Sequence, residues 1–126
     1  MKTIILNQRK ERDELLMRPY LTRRSNQDTN MLLSSHLIKL ITGPRRVGKS
    51  TQALLMLPNR NFAYLNFDSQ SLLDAWDANL VMRMLDDVYP GYEYLLLDEV
   101  QNLDAWDLWV SELYRQGKNL VITGRS

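Results

Sequence analysis

The chain has 126 residues, and its 16 lysines and arginines stand against 15 aspartates and glutamates, which gives a formal net charge of +1. A content of 44% hydrophobic and 25% charged residues is typical of one folded globular domain and excludes a disordered, fibrous or low-complexity chain. Because the chain has no cysteine and a single histidine, His36, a disulfide framework and a thiolate zinc site are excluded, and histidine-based catalysis is disfavoured.

The elements predicted for the first half of the chain alternate between helix and strand. Helical spacing predicts a helix over Asn7–Met17, ended by the proline that follows, and a short second helix over Met31–His36. The apolar run Leu37–Thr42 predicts a buried strand that stops at a glycine and a proline. A helix over Ser50–Leu57 and an aromatic-rich strand over Phe62–Phe67 are predicted next.

Two helices are predicted in the second half of the chain. Leucine, tryptophan and methionine recur at helical spacing over Ser71–Asp87, and Ser71 with Asp74 resembles a capping box at the start of this helix. A later helix begins at Asp104 and is capped by Gly117. The helical spacing of the tryptophans favours core packing over a ligand pocket.

Strands are predicted over Tyr92–Leu97 and Leu120–Thr123, on either side of the later helix. Strands that alternate with helices indicate an α/β fold with a mostly parallel sheet. No apolar run is long enough for a signal peptide or a membrane span, so we expect a cytoplasmic chain without a membrane partner.

Charge is unevenly distributed along the chain, because residues 1–50 carry an excess of basic side chains and residues 51–126 an excess of acidic ones. The cluster Arg18, Arg23 and Arg24 is the best candidate for a nucleic-acid surface. Acidic residues such as Glu11 and Asp13 interrupt the basic segment, which favours an ordinary solvated surface. Nucleic-acid binding therefore stays open as the weaker alternative.

A phosphate-binding loop is indicated between the predicted strand Leu37–Thr42 and the predicted helix Ser50–Leu57. Its eight residues fit the pattern G-x-x-x-x-G-K-[ST] without a mismatch. Glycines allow backbone N–H groups to turn around a phosphate oxygen, and the start of a helix directs its positive dipole end at the same charge. The nucleotide-binding candidates are Gly43, Pro44, Arg45, Arg46, Val47, Gly48, Lys49, Ser50 and, as a substitute for Ser50, Thr51.

A second motif is the pair of acids that ends the apolar segment Tyr94–Leu97. Downstream of a phosphate loop, Asp98 and Glu99 are the expected Walker B arrangement, because a carboxylate at the carboxyl end of a strand faces the nucleotide crevice. Lys49 would contact the β- and γ-phosphates. The hydroxyl of Ser50 and the carboxylate of Asp98 would hold Mg²⁺, and Glu99 would act as general base on the attacking water.

The chemistry favoured by these motifs is ATP hydrolysis. The base-reading N-K-x-D and the D-x-x-G of GTPases are absent from the sequence, and the second acid, Glu99, suggests water as the acceptor in place of a kinase substrate. A polar residue at the end of the last strand would lie near the γ-phosphate. Thr123 is the candidate for this sensing position and Ser126 the second choice.

With these elements in order, the sequence resembles the AAA-type ATPases of archaea and bacteria in which an ATPase domain precedes a C-terminal domain of unknown function. The resemblance spans roughly Leu37 to Gly124, and its most particular string is Asp-Glu-Val-Gln-Asn followed by a tryptophan. Its matching segments are Ile41–Ser50, Tyr64–Asp68, Leu97–Asn102 with Trp106, and Val121–Gly124.

The resemblance implies a P-loop NTPase three-layer sandwich, ATP and Mg²⁺ as ligands, and the residue roles given above. It divides the chain into a basic helical segment, residues 1–36, and a partial ATPase core, residues 37–126. The family's fifth core strand, helical lid, later arginine and C-terminal domain have no counterpart in the sequence. The core is therefore expected to be truncated after its fourth strand, with Leu37–Thr42 at an exposed edge, a tendency to form homo-oligomers and weak hydrolysis. Arg125 departs from the serines usual in the family.

Two alternatives to an active ATPase remain. The chain could be a partner- or nucleic-acid-binding fragment whose phosphate loop is inherited and idle, with the basic segment Arg9–Arg24 or the exposed strand edge as its interface. It could also be a truncated gene product without a stable fold of its own.

Overall fold

The computed structural model describes residues 1–17, 39–42, 53–54, 57 and 61–124, and for 39–42 it gives the course of the backbone. In chain order the longer elements are helix α1 (Lys2–Leu16), strand β1 (Lys39–Thr42), strand β2 (Phe62–Asn66), helix α2 (Gln70–Asp74), helix α3 (Ala78–Val88), strand β3 (Tyr94–Asp98), helix α4 (Trp106–Arg115) and strand β4 (Leu120–Gly124). A short 3₁₀ turn, Val100–Asn102, follows β3.

The four described strands form one parallel sheet in the order β1-β4-β3-β2. The non-consecutive order requires crossover connections, which is the arrangement of an α/β fold with helices on the sheet faces. This confirms the predicted fold class. Among the described strands β1 lies at one edge, as the resemblance implies, and β2 lies at the other.

Side chains alternate between two apolar layers, one on each face of the sheet. On one face the strands pack against α2, α3 and α4, through residues that include Leu72, Leu85 and Leu113. On the other face Phe62, Tyr64, Leu96 and Val121 pack against Ala53, Leu54 and Leu57. Buried residues on both faces make the sheet the middle layer of a three-layer sandwich.

Helix α1 runs along the outer edge of β2 and supplies hydrogen bonds that a further strand would otherwise make. The side-chain amide of Gln8 donates to the carbonyl of Asn66 at 2.9 Å and accepts from the Asn66 N–H at 3.1 Å. Arg12 donates to the carbonyl of Phe62 at 2.7 Å, and its guanidinium lies 4.9 Å from the centre of the Phe62 ring. Ile5 is fully buried in the core, so α1 is packed on the sheet. The open edge of β2 is thereby covered.

The predicted helix over Ser71–Asp87 is wrong in its continuity. It is two helices, α2 and α3, and the N-cap of the first is Ser69, whose Oγ accepts from the N–H of Leu72 at 3.2 Å, so Ser71 and Asp74 form no capping box. Asp77 caps the second helix by accepting from the N–H of Leu80 at 3.2 Å. The break directs the ring of Trp76 toward two other aromatic rings, Phe67 at 5.4 Å and Trp109 at 4.8 Å.

Other boundaries differ by smaller amounts. Helix α1 begins five residues before the predicted start, because the buried Ile5 belongs to its inner face. The helix expected from Asp104 begins at Trp106, after Ala105 in a left-handed conformation. Its predicted glycine cap is confirmed, since Gly117 has a φ of +87° and the N–H of Lys118 donates to the carbonyl of Leu113 at 3.1 Å, as in a Schellman motif. The predicted helix Met31–His36 and most of Ser50–Leu57 lie outside the described residues.

Candidate nucleotide and metal site

The carboxyl ends of β1, β4 and β3 meet at one edge of the sheet. The register pairs Thr42 of β1 with Gly124 of β4, and Ile122 of β4 with Leu97 of β3. The segment that follows Thr42, which contains the phosphate-loop pattern, therefore begins beside the two acids that end β3. In open α/β sheets this edge is where ligands bind.

Asp98 is buried at this edge, with 4% of its surface exposed, and two hydroxyl groups donate to its carboxylate. The hydroxyl of Thr123, on the neighbouring strand β4, donates to Oδ1 at 2.5 Å. The hydroxyl of Tyr64, on the other neighbouring strand β2, donates to Oδ2 at 3.1 Å. Hydrogen bonds to both oxygens offset the cost of burying this carboxylate and fix its orientation.

Glu99 follows in a left-handed backbone conformation, with φ of 58° and ψ of 43°. This conformation costs a residue other than glycine about 1–2 kcal/mol, so the surrounding contacts must maintain it. Its N–H donates to the hydroxyl of Thr123 at 3.0 Å, and its carboxylate accepts from the side-chain amide of Gln101 at 2.8 Å. The turn redirects the chain as β3 ends and keeps the second acid buried, with 3% exposed.

Thr123 joins the two acids through one hydroxyl. The side chain is fully buried, and its Oγ1 donates its proton to Asp98 while it accepts from the backbone of Glu99. The structure therefore brings the candidate residues Asp98, Glu99 and Thr123 together. The proton of the hydroxyl is directed at Asp98, and the predicted contact of Thr123 with a γ-phosphate stays a prediction.

Two further side chains complete the surroundings of Glu99 and Asp98. Gln101 lies against Gly124, where an added Cβ would come within 3.0 Å of Gln101 Oε1, so the absence of a side chain at Gly124 allows this close approach. Asn66 is the register partner of Asp98, and its side chain donates to Glu11 of α1 at 3.2 Å. Sequence reasoning missed both residues.

Tyr64 was also missed, because the aromatic-rich strand that contains it predicts only core packing. The sequence places Tyr64 on the same face of β2 as Asn66, two residues later, but the pairing of that face with Asp98 depends on the strand register. Burial, and next the negative charge of Asp98, raise the pKa of Tyr64 well above its ordinary value, so this hydroxyl keeps its proton and acts as a donor.

The phosphate-loop candidates Gly43–Ser50 and Thr51 lie outside the described residues, as does Ser126. The described residues that follow the loop, Ala53 and Leu54, are helical and pack on the sheet face that carries Tyr64 and Leu96. Asp98 is two residues beyond Leu96 and projects from that same face. The described segments on both sides of the loop thus belong to the sheet that carries the buried acids or pack on its face.

The groups at this edge are suited to a hard cation. Carboxylate and hydroxyl oxygens are the donors that Mg²⁺ prefers, and Mg²⁺ usually takes one or two protein carboxylates together with phosphate oxygens and water. Within residues 1–17 and 61–124 and the shorter described stretches, no group of three or more acidic, histidine or cysteine side chains could hold a metal by itself. The described oxygen donors at this edge are of the type that Mg²⁺ binds together with phosphate oxygens and water.

Two arginines of the predicted basic segment form hydrogen bonds within the folded chain. Arg9 donates to the carbonyl of Val88 at 2.7 Å, and Arg12 donates to that of Phe62. Both guanidinium groups also lie over the ring of Tyr89, at 5.6 and 5.0 Å from its centre. The other basic candidates, Arg18, Arg23 and Arg24, are outside the part of the chain that the structure describes.

Comparison with known proteins agrees with this geometry. A family model described as an AAA domain matches residues 35–126, and the chain belongs to that family. Membership indicates nucleotide binding and ATPase-type activity. Domains of this family typically use ATP and Mg²⁺.

Two curated relatives are similar to the chain. The uncharacterized protein MJ1544 of Methanocaldococcus jannaschii is 33% identical over 107 residues, which cover 80% of this chain and 24% of the relative. An uncharacterized protein of Haemophilus influenzae is 33% identical over 101 residues, which cover 69% of this chain and 25% of the relative. The chain spans about a quarter of the length of these relatives. None of its described helices has the length and apolar character needed to cross a membrane.

Proposed function

We propose that this chain binds ATP together with Mg²⁺ at the carboxyl edge of the sheet and positions water for hydrolysis of the γ-phosphate. The observation that carries the proposal is the convergence of Asp98, Glu99 and the end of β1 at this edge. The segment that leaves β1 contains an unbroken phosphate-loop pattern, and the chain belongs to the AAA domain family.

The proposed division of labour follows from the chemistry of each group. The loop amides of Gly43–Ser50 and the ammonium group of Lys49 bind the phosphates. Ser50, and Asp98 through the water shell of the ion, hold Mg²⁺, which supplies neutralisation of phosphate charge when it is bound. Glu99 accepts a proton from the attacking water. Thr123 holds both acids in place.

We further propose that the chain alone hydrolyses ATP slowly and binds it well. Lys49 is the loop cation given a role at the β- and γ-phosphates, and Arg45 and Arg46 are given no catalytic role. An additional arginine contributes about 10³–10⁵ in rate in related sites that use one. The C-terminal domain, the homo-oligomer and the cytoplasmic location stay predictions of the sequence.

The experiment that tests this function is thermal unfolding with and without ATP and Mg²⁺. A nucleotide at 100 times its dissociation constant stabilises the folded state by about 2.7 kcal/mol, which raises the Tm by several degrees. We expect the shift to require Mg²⁺ for its full size and to disappear in Lys49→Ala. Lys10→Ala, at an exposed lysine of α1, is the matched control and keeps the shift. A folded wild-type chain that shows no shift at millimolar ATP contradicts the proposal.

A further inference from the structure

Tyr64 reaches the carboxylate of Asp98 diagonally across the sheet. The register pairs Tyr64 with Leu96, two residues before Asp98. With neighbouring strands about 4.8 Å apart and a rise of about 3.3 Å per residue, such diagonal neighbours are about 8 Å apart, a distance that an aromatic side chain can span. The Tyr64 hydroxyl therefore arrives at Asp98 Oδ2, 3.1 Å away, while the ring stays in the apolar layer.

Packing alone does not require a hydroxyl group at this position. Only 2% of Tyr64 is exposed, and its neighbours in the layer are apolar side chains such as Phe62, Leu54 and Val121. Phe62, on the same strand and face, fills its place with a ring that has no polar atom. A buried hydroxyl needs a hydrogen-bond partner, and the partner available to Tyr64 is the first of the two acids.

The hydroxyl also completes a symmetrical arrangement around Asp98. Thr123 on one neighbouring strand holds Oδ1, and Tyr64 on the other holds Oδ2, so rotation of the carboxylate would break both hydrogen bonds. An ionised carboxylate has about four acceptor positions, so a carboxylate can accept two hydrogen bonds and also bind a metal or metal-bound water.

We propose that Tyr64 is a positioning residue for metal binding, which fixes the orientation of the Asp98 carboxylate toward the Mg²⁺ of the bound nucleotide. The inference rests on the proposed function of Asp98. It adds a residue that acts through Asp98 and touches neither nucleotide nor metal. Removal of such an outer partner typically weakens metal affinity by about 10–100-fold.

The test measures binding of a fluorescent ATP analogue to the full chain, first in EDTA and then during a Mg²⁺ titration. In Tyr64→Phe we expect nucleotide binding in EDTA to stay within about twofold of wild type, because the phosphate loop is intact. The Mg²⁺ concentration for half-maximal enhancement rises about tenfold. Tyr89→Phe is the matched control: that hydroxyl is also buried, it makes no side-chain hydrogen bond of ordinary geometry within the described part of the chain, and its removal leaves the Mg²⁺ response unchanged.

A background variant separates a positioning role from a general structural one. In Asp98→Asn the Mg²⁺ enhancement is largely lost, and addition of Tyr64→Phe causes no further loss if Tyr64 acts through Asp98. Equal Mg²⁺ responses of Tyr64→Phe and wild type overturn the inference and leave the proposed function standing. A wild-type chain that binds nucleotide without any response to Mg²⁺ or to Asp98→Asn overturns both.

A measurement on the unmodified chain guards against a Tyr64→Phe variant that does not fold. The six tyrosines are labelled with ¹³C at Cζ, and the Tyr64 resonance is assigned by elimination with phenylalanine variants of the other five. We expect this resonance to move when Mg²⁺ is added to the ATP complex, while that of Tyr89 does not. A Tyr64 resonance that ignores Mg²⁺ overturns the inference.

Discussion

Thr123 offers a substitution series in which hydrogen bonding and hydrophobic burial predict opposite orders of stability. Thr123→Val keeps the shape of the side chain and replaces the hydroxyl group with a methyl group, whereas Thr123→Ser keeps the hydroxyl group and removes the methyl group. If Thr123 were only a buried strand residue, valine would be equal to threonine or better. If its hydroxyl joins the two acids, serine would be the better replacement.

The magnitudes follow from the contacts of the hydroxyl group. In Thr123→Val, Asp98 loses a donor and the N–H of Glu99 loses an acceptor, both inside a buried site. A hydrogen bond to a charged group contributes about 1.5–3 kcal/mol, and an unpaired buried amide costs about 1–3 kcal/mol. The new methyl group returns only about 0.8 kcal/mol. We therefore expect Thr123→Val to lower the free energy of unfolding by about 3 kcal/mol.

Thr123→Ser keeps both hydrogen bonds and loses one buried methyl group, which costs about 1 kcal/mol. Urea unfolding, followed by the fluorescence of the three tryptophans, measures both variants against wild type at an unchanged m value. The expected order of stability is threonine, serine, valine. A valine variant as stable as the serine variant would refute the hydrogen-bond argument.

Three further predictions concern α1, the second acid and the pH dependence. Gln8→Ala leaves both backbone groups of Asn66 without their partner, so we expect a loss of about 2 kcal/mol in urea unfolding. Gln70→Ala, which removes only an exposed hydrogen bond within α2, loses less than about 0.5 kcal/mol, and equal losses would contradict the role of α1. Glu99→Gln should retain ATP binding in the fluorescence assay and lose hydrolysis in a phosphate-release assay; unchanged hydrolysis would exclude this acid as the base. Burial raises the pKa of Tyr89 to about 12 against the opposing effect of nearby arginines, so the folded state resists its ionisation. Above pH 10 the unfolded chain releases this proton first, so the free energy of unfolding falls as the pH rises. Between pH 10 and pH 12 the free energy of unfolding of wild type should fall by up to about 1.4 kcal/mol per pH unit more than that of Tyr89→Phe. Parallel stability profiles of the two proteins would contradict this.

The strands could be predicted well because their boundaries are set by residues that are adjacent in the sequence. The strand expected over Leu120–Thr123 differs from β4 by one residue, and Phe62–Phe67 differs from β2 by one residue. Both are apolar runs bounded by polar or turn residues, and such boundaries need no knowledge of distant contacts. The glycine cap of α4 was predicted for the same reason.

Features that depend on tertiary contacts could not be predicted in this way. The break between α2 and α3 lies within an unbroken helical pattern, and Asp77 becomes an N-cap only where Trp76 turns toward Phe67 and Trp109. The hydrogen bond from Tyr64 to Asp98 depends on the register between two strands that are about 30 residues apart in sequence. Periodicity identifies the face of a strand but not its register with a partner.

The contacts of α1 with the edge of β2 affect the orientation of the Asp98 carboxylate. Helix α1 precedes the segment that the family model matches, yet Gln8 pairs with both backbone groups of Asn66. Asn66 is in turn the register partner of Asp98, and Tyr64 lies on the same strand. A strand at a sheet edge has half of its backbone groups unpaired unless another element covers them. Because β2 carries one of the two donors to Asp98, contacts of α1 that stabilise the end of β2 also stabilise the orientation of this carboxylate. The geometry of the site therefore depends on how firmly α1 holds the end of β2 as well as on the phosphate loop.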